Sequence, residues 1–568
     1  MLQIISGKFY ETDNLHDNPG KGILYSNFTH FDPIKLSLGS VSSVSFSGNV
    51  KSHVFDYNCR IEKSKVGGFG IVRTGDDVII DQLKVILTFG LDSYFDIDKR
   101  NVMEFSRMNE SDYLDRYLPR NFVPCLFSDD FNNVEKINNF RVLFEKIIKL
   151  SRKNYELLIT CLKTYYDSLQ ILSSNFELAY SMLVYCLEAL SKSHNTDKAS
   201  WEEYPKNHKL DKLLTTVNDE IADSVRDEII SGEHYKLYKK FNEFIKDNLS
   251  NSFYISAKKS VYNQIKKSDL DQLIYNVYDH RSQYVHSLKV ANEQMKIKEI
   301  AVNETFTFGN NIFLTYLGLF RLTNQVIKNF IYNCDEVDKE LYNWRSNLPN
   351  TVSLELAPKY WLAKTNNFHI YHVGIKLNGF LEQLDSVMFN KANALTDLSQ
   401  LMSLYETLIP KTIKKYKLPM VTLYYLYNMH VAEEHKSRKF EKLNKNFETL
   451  FDQVNIYGLL INSLFFSDIV WDIEESIKVF NAYMKRKYLD KELKIPRNFE
   501  TFIRCMLSNK LIENNKVDIA KQIMLDIKYD YPENQVVQER FESYHITPIT
   551  LSQELLYEVL TKKSDENQ

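Results

Sequence analysis

IYNVYDHRSQYVHSL, residues 274–288, is the stretch on which the fold turns. Read back to Leu270, the residues Leu270, Leu273, Val277, Tyr284 and Leu288 recur at helical steps, which predicts an amphipathic helix. Ser268, with Asp271 three residues on, predicts a capping box at its start. The stretch carries Arg281 and His286. Cleaving RNA without a metal requires a base for the 2′-hydroxyl proton, an acid for the departing 5′-oxygen and a cation for the crowded phosphorane. Histidine supplies proton transfer, and the planar guanidinium suits phosphate oxygens. Residues five apart on an unbroken helix stand about 140° apart, so one copy of the motif does not present both groups to one phosphate. Two copies facing each other across a two-fold axis would. Tyr275, Tyr278 and Tyr284 are candidates for that axis, with packing in the core as the other expectation.

Spacing alone is weak, because the chain repeats it at Arg540 and His545 in RFESYH. Context separates the two. The stretch from Lys236 to Lys267 holds eight lysines against only Glu243 and Asp247, interleaved with Tyr, Phe and Asn. Lys258, Lys259, Lys266 and Lys267 are its candidates for drawing in an RNA backbone, the plain alternative being a solvated face. Upstream, Phe176, Ala179, Leu183, Leu187 and Leu190 predict a helix that also places Tyr180, Val184, Glu188 and Lys192 on one stripe. A third helix is expected from about residue 312 to 332. Arg540 instead ends a helix just before Thr547 and Pro548.

Working outward, residues 1–132 read as β-rich. IKLSLGSVSSVSFSG, HVFDYNCRI and VIIDQLKVILTF are the expected strands, separated by turns at DNPGKG and KVGGFG. A helical part is expected over 135–335, and a polar segment ending at Pro349 suggests a boundary before a helical part over 345–568. There LIENNKVDIAKQIMLDIKYDYPENQVVQERF looks like one tetratricopeptide-like helix pair, an irregular bundle being the alternative. The net charge of −3 argues against a passive nucleic-acid coat, so any RNA contact must be local. Six scattered cysteines without a CxxC fit reduced thiols rather than disulfides or zinc. MLQIISGKFYETDN has no basic n-region or long apolar core, and the greasiest later runs are broken by Arg321 and Asp468. A cytoplasmic protein without a membrane segment is expected.

Other candidates carry less. GGFG at Gly67–Gly70 lacks the Gly-Lys-Ser/Thr of a phosphate loop and is expected as a hairpin turn. His369 and His372 form an isolated HxxH, and His430 and His435 do not match the spacing of a zinc protease. No tight Asp/Glu cluster suggests a two-metal site, so neither metal nor cofactor is expected.

AYSMLVYCLEAL, IYNVYDHRSQYVHSL and FLTYLGLFRLTNQVI together resemble the three helices of the HEPN superfamily, and within it the ApeA-like group linked to bacterial antiphage defence. GKFYETDN, NPGKGILY and the glycine-punctuated strands are more loosely similar to that group's amino-terminal domain. The resemblance covers about 1–335. Ser282 and Ser287 depart from it where many relatives have Asn, Asp or His after the Arg and Gly after the His. It implies an α+β multidomain chain with a β-rich amino domain, an all-α HEPN bundle and a helical carboxyl domain. It implies an endoribonuclease leaving 2′,3′-cyclic phosphate and 5′-hydroxyl ends, with Arg281 on the scissile phosphate and His286 as acid or base. Glu188 would orient one of them, and Lys192 would touch phosphate. The implied partners are RNA such as a tRNA, a second copy of the chain through the HEPN helices, and a phage-derived trigger. A non-catalytic HEPN binding module and a structural scaffold are the alternatives.

Overall fold

Alternation builds the amino-terminal sheet. In the computed structural model, His53, Phe55, Tyr57, Cys59 and Ile61 are buried while the residues between them are not, the period-2 pattern of a strand with one face on a core. The strands are β1 (Leu15–Ser26), β2 (Ile34–Leu36), β3 (Gly39–Ser43), β4 (Lys51–Glu62) and β5 (Phe95–Asp96), all antiparallel in the order β2-β3-β4-β1-β5. The structure describes the chain apart from residues 45–47, 49, 64–74, 107–117, 128–132, 193, 195–200, 202–203, 205–206, 216, 232, 256–260, 291–292, 298–299, 301, 350–355, 367, 390, 490 and 562–568. The expected turn at Gly67–Gly70 and the lysines Lys258 and Lys259 therefore lie outside the described residues.

Two expectations for this region are corrected. DNPGKG is not a turn: Asn18, Pro19 and Gly20 run inside β1, opposite Cys59, Asn58 and Tyr57. Among the described residues only β5 pairs on the other side of β1, at Tyr25 and Ser26, so a proline at position 19 faces an edge without a strand partner among them. A Cβ on Gly20 would sit 2.4 Å from the Tyr57 ring and one on Gly22 1.9 Å from Ile80, so these glycines serve close packing. VIIDQLKVILTF is a helix, Asp77–Gly90, burying Ile79, Ile80, Leu83, Ile86 and Leu87. Its β-branched start and near-continuous apolar run match a buried strand equally well, and burial on the sheet and on the helix Arg152–Ile171 decides for the helix.

The chain is mixed α+β, with this small sheet at the amino end and a helical remainder. It divides into two compact units, Met1–Val352 and Ser353–Gln568. In the first, sheet and helices share one hydrophobic core. Buried Asp96 helps join them, accepting hydrogen bonds from Tyr94 and Tyr166 at 2.8 Å and from Gln170 at 3.0 Å. The opening helix (Phe176–Ser191) packs on Arg152–Ile171, on Glu233–Asp247, on the motif helix (Leu270–Ser287) and on the closing helix (Tyr316–Asn333). Between the last two lies an unanticipated hairpin, β6 (Thr305–Phe308) and β7 (Asn311–Leu314), turning at Gly309-Asn310 with Gly309 at φ 58°. The expected capping box does not form. The motif helix is entered through a 3-10 turn, Asp269 caps it without a side-chain bond, Ser268 donates to Asp269, and Asp271 pairs with Lys246.

The second unit is a stack of helices around its own core. Val517–Tyr529 packs on Arg497–Glu513 and on Gln535–Ile546, with Ala520 fully buried. Among the described residues no helix is long and apolar enough to cross a membrane.

Candidate functional site

The motif helix buries Leu270, Leu273, Ile274, Val277 and Tyr278. Arg281 lies four residues past Val277 and seven past Ile274, so it continues the buried stripe instead of facing water. There its Nη2 meets Glu188 Oε2 of the opening helix at 2.5 Å, the side chains being 23% and 17% exposed. The guanidinium carbon stands 5.2 Å from the centre of the Tyr185 ring. Its Nε is buried without a hydrogen-bond partner. Burial pushes the Glu188 carboxyl above the usual carboxylate range, while the Arg281 and Lys192 charges pull it back.

His286 stands elsewhere. It is exposed in the last turn of the helix, which ends at Leu288 in the left-handed conformation, φ 51°. The five-residue step therefore does what its geometry requires, turning one group inward to the opening helix and the other out to solvent. His280, one residue before Arg281, packs edge-on against the Tyr180 ring at 5.3 Å, and burial lowers its pKa.

The sequence-predicted residues separate into two places. Glu188, Arg281 and exposed Lys192, which ends the opening helix, gather at one end. Lys266 and Lys267 are exposed just before the other end of the motif helix, and at about 1.5 Å of rise per residue His286 lies roughly 24 Å along from Leu270. The lysine surplus is also partly spent inside the fold: Lys239 pairs with Glu243 at 3.3 Å, and Lys246 with Asp271. Tyr278 belongs to the core beside Tyr238, so among the proposed axis residues it is not at a surface; Tyr275 packs on the same Tyr238 ring. Tyr185 was not singled out by sequence. Its signal is its place three residues before Glu188, on a neighbouring helical position.

No family model matches the chain, nor does any curated protein or solved structure. What can be said of the site therefore rests on its own geometry. The second Arg-x4-His pair differs in setting: Arg540 is exposed, and His545 Nδ1 is engaged with the Lys521 carbonyl at 3.0 Å. His372 Nδ1 accepts the His369 amide at 3.2 Å, closing a local turn. Among the described residues no three His, Cys, Asp or Glu side chains gather as metal ligands. Clefts of about 430 Å³ beside Trp344 and about 610 Å³ beside Arg141 are lined by neither Arg281 nor His286.

Proposed function

We propose that the protein is a metal-independent HEPN-type endoribonuclease. The helices within residues 135–335 would form the HEPN bundle, and Val517–Tyr529 with Gln535–Ile546 one tetratricopeptide-like helix pair. The observation that carries the reading is Arg281, a guanidinium oriented by Glu188 and Tyr185 on the same helix as solvent-facing His286. In this mechanism Arg281 takes the scissile phosphate and stabilises the phosphorane. His286 moves a proton, either from the attacking 2′-hydroxyl or to the departing 5′-oxygen, leaving a 2′,3′-cyclic phosphate and a 5′-hydroxyl. Glu188 acts through Arg281 and is a positioning residue. Because Arg281 and His286 diverge, a homodimer through the HEPN helices would complete the catalytic set. A cytoplasmic role in antiphage defence, with RNA such as a tRNA as substrate and a phage component as trigger, follows from the resemblance alone.

The second reading, a HEPN module that binds RNA or a partner without cleaving, is favoured by one observation. Glu188 already occupies the guanidinium that the phosphate would need. Sequencing RNA 5′-hydroxyl ends from cells expressing wild type or His286→Ala separates the two. New ends present only with wild type support the nuclease, and identical profiles support the binding module.

A further inference from the structure

Two segments of the second unit, 356–381 and 407–432, contain no Asp or Glu, although a stretch of that length would hold about three at the chain's average. Between them they carry Lys359, Lys364, Lys411, Lys414, Lys415 and Lys417, the first five exposed and the last half-buried. None of the six forms an ion pair among the described residues. The acid that directly precedes the second segment, Glu406, is already taken by Lys439 at 3.3 Å and by the Tyr424 hydroxyl at 3.1 Å.

The fold joins the segments. The Tyr371 and Tyr416 rings meet edge to face at 5.7 Å. Buried Lys376, in the first turn of helix Val373–Met388, donates to the carbonyls of Trp361, Leu362 and Lys364 at 2.7–2.8 Å and holds that loop against the same helix. Aromatic faces stand among the cations: Tyr371 is 72% exposed and Tyr360 56%. Lys359 lies 5.1 Å over the Tyr360 ring and Lys415 5.6 Å over Tyr416.

This arrangement runs against local stability. Lys414, Lys415 and Lys417 open helix Lys414–His430, where the helix dipole disfavours cations, and no acid stands in its first turn or a side-chain cap before it. Helix Val373–Met388 likewise begins with neither. A polyanion lying across these cations would offset their mutual repulsion, and unstacked bases would find ring faces to stack on. We propose that this basic aromatic surface of the second unit binds single-stranded RNA through its phosphates and bases. The proposal does not depend on the nuclease reading.

The test uses the full chain carrying Arg281→Ala, so that cleavage cannot interfere, and a short fluorescent RNA without self-complementarity, followed by anisotropy. Wild-type surface should bind it more tightly than the matching duplex, with affinity falling steeply as salt rises. The triple variant Lys411→Glu/Lys414→Glu/Lys415→Glu should weaken binding at least tenfold and lower the magnitude of the salt slope by about two. Tyr371→Ala should weaken it roughly tenfold with the slope unchanged. All these side chains are exposed, and circular dichroism checks that the variants fold. Absence of binding, or variants that bind as the parent does, would overturn the proposal. So would preference for phosphatidylserine vesicles or a glutamate-rich peptide over RNA. Equal duplex binding with Tyr371→Ala unaffected would also overturn it, marking a general polyanion surface.

Discussion

Arg281 and Glu188 form a partly buried ion pair, and such pairs are costly to break from one side. Glu188→Gln keeps the shape but leaves the guanidinium facing an uncharged group, with its Nε already lacking a partner. It should lower stability by about 1–2 kcal/mol, read as a shift of the urea midpoint; an unchanged midpoint would mean the pair behaves as if solvated. Arg281→Ala and His286→Ala should each cut RNA cleavage by at least about a hundredfold, since no neighbouring group replaces either function. EDTA should leave the wild-type rate unaltered. Full activity in either purified, folded variant would remove the assignment. In the sequence, Arg281 stood out through its five-residue step to His286 and the resemblance, and Glu188 through its place on the Tyr180–Val184 stripe. The sequence could not show that Glu188 would meet Arg281 rather than His286, because that depends on how two helices pack. Nor could it place Lys266 and Lys267, which charge counting put near the motif and the helix axis puts at its far end.

Among the elements, long amphipathic helices were legible and short or doubly buried ones were not. Phe176–Ser191 follows its apolar spacing, whereas Asp77–Gly90 is apolar on too many sides for period to tell helix from strand. The β6–β7 hairpin had a usable signal, Gly309-Asn310 between alternating residues, hidden beside the apolar run of the closing helix. The end of the motif helix offers a direct test of backbone physics. Leu288 adopts φ 51° and is 76% exposed, so its side chain gains little from burial while its Cβ strains the left-handed conformation. Glycine is the residue this position favours at a helix end. Leu288→Gly should therefore raise stability by about 1 kcal/mol in urea titration. A loss of stability would show that Leu288 is held by contacts outside the single chain.

At the scale of the whole molecule, the chain divides after Val352, three residues past Pro349, and the polar segment before that point is pinned to the first core through buried Trp344 and Leu348. Sequence also suggested a break near residue 132, and there the physics differs: sheet and helices bury apolar faces on each other, so one core runs through both. Assembly is open to a mixing test. If two chains build one catalytic cleft, wild type mixed with excess His286→Ala should lose activity in proportion to heterodimer formed, and a chain that cleaves undiminished as a monomer by light scattering would refute it. The shared core also predicts how the first unit responds to acid. His30 and His53 are fully buried with their rings stacked at 5.4 Å and 11°. Burial holds both below the ordinary histidine range, His53 at about 3, with His30 adding to the effect on His53 while Asp32 partly opposes it at His30. The unfolded chain protonates them near pH 6.5, the folded chain does not, so the unfolded state binds more protons as pH falls. The stability they contribute is complete above about 6.5 and falls as pH drops below it; for His53 the loss continues toward pH 3 and amounts to about 2 kcal/mol by pH 5. Glu62 and Asp96, whose pKa values are depressed, add their own loss only below their unfolded values of 4.5 and 3.8. The window between pH 6.5 and 5 lies above those carboxylates, and the buried histidines lose stability across it together with the buried Met1 amino group, which burial lowers to about 5. Hydrogen exchange of the β4 amides, corrected for intrinsic rates, should show opening free energies that fall across it. His53→Gln should flatten that slope whatever its effect on absolute stability, and an unchanged slope would show that His53 takes up its proton within the folded sheet.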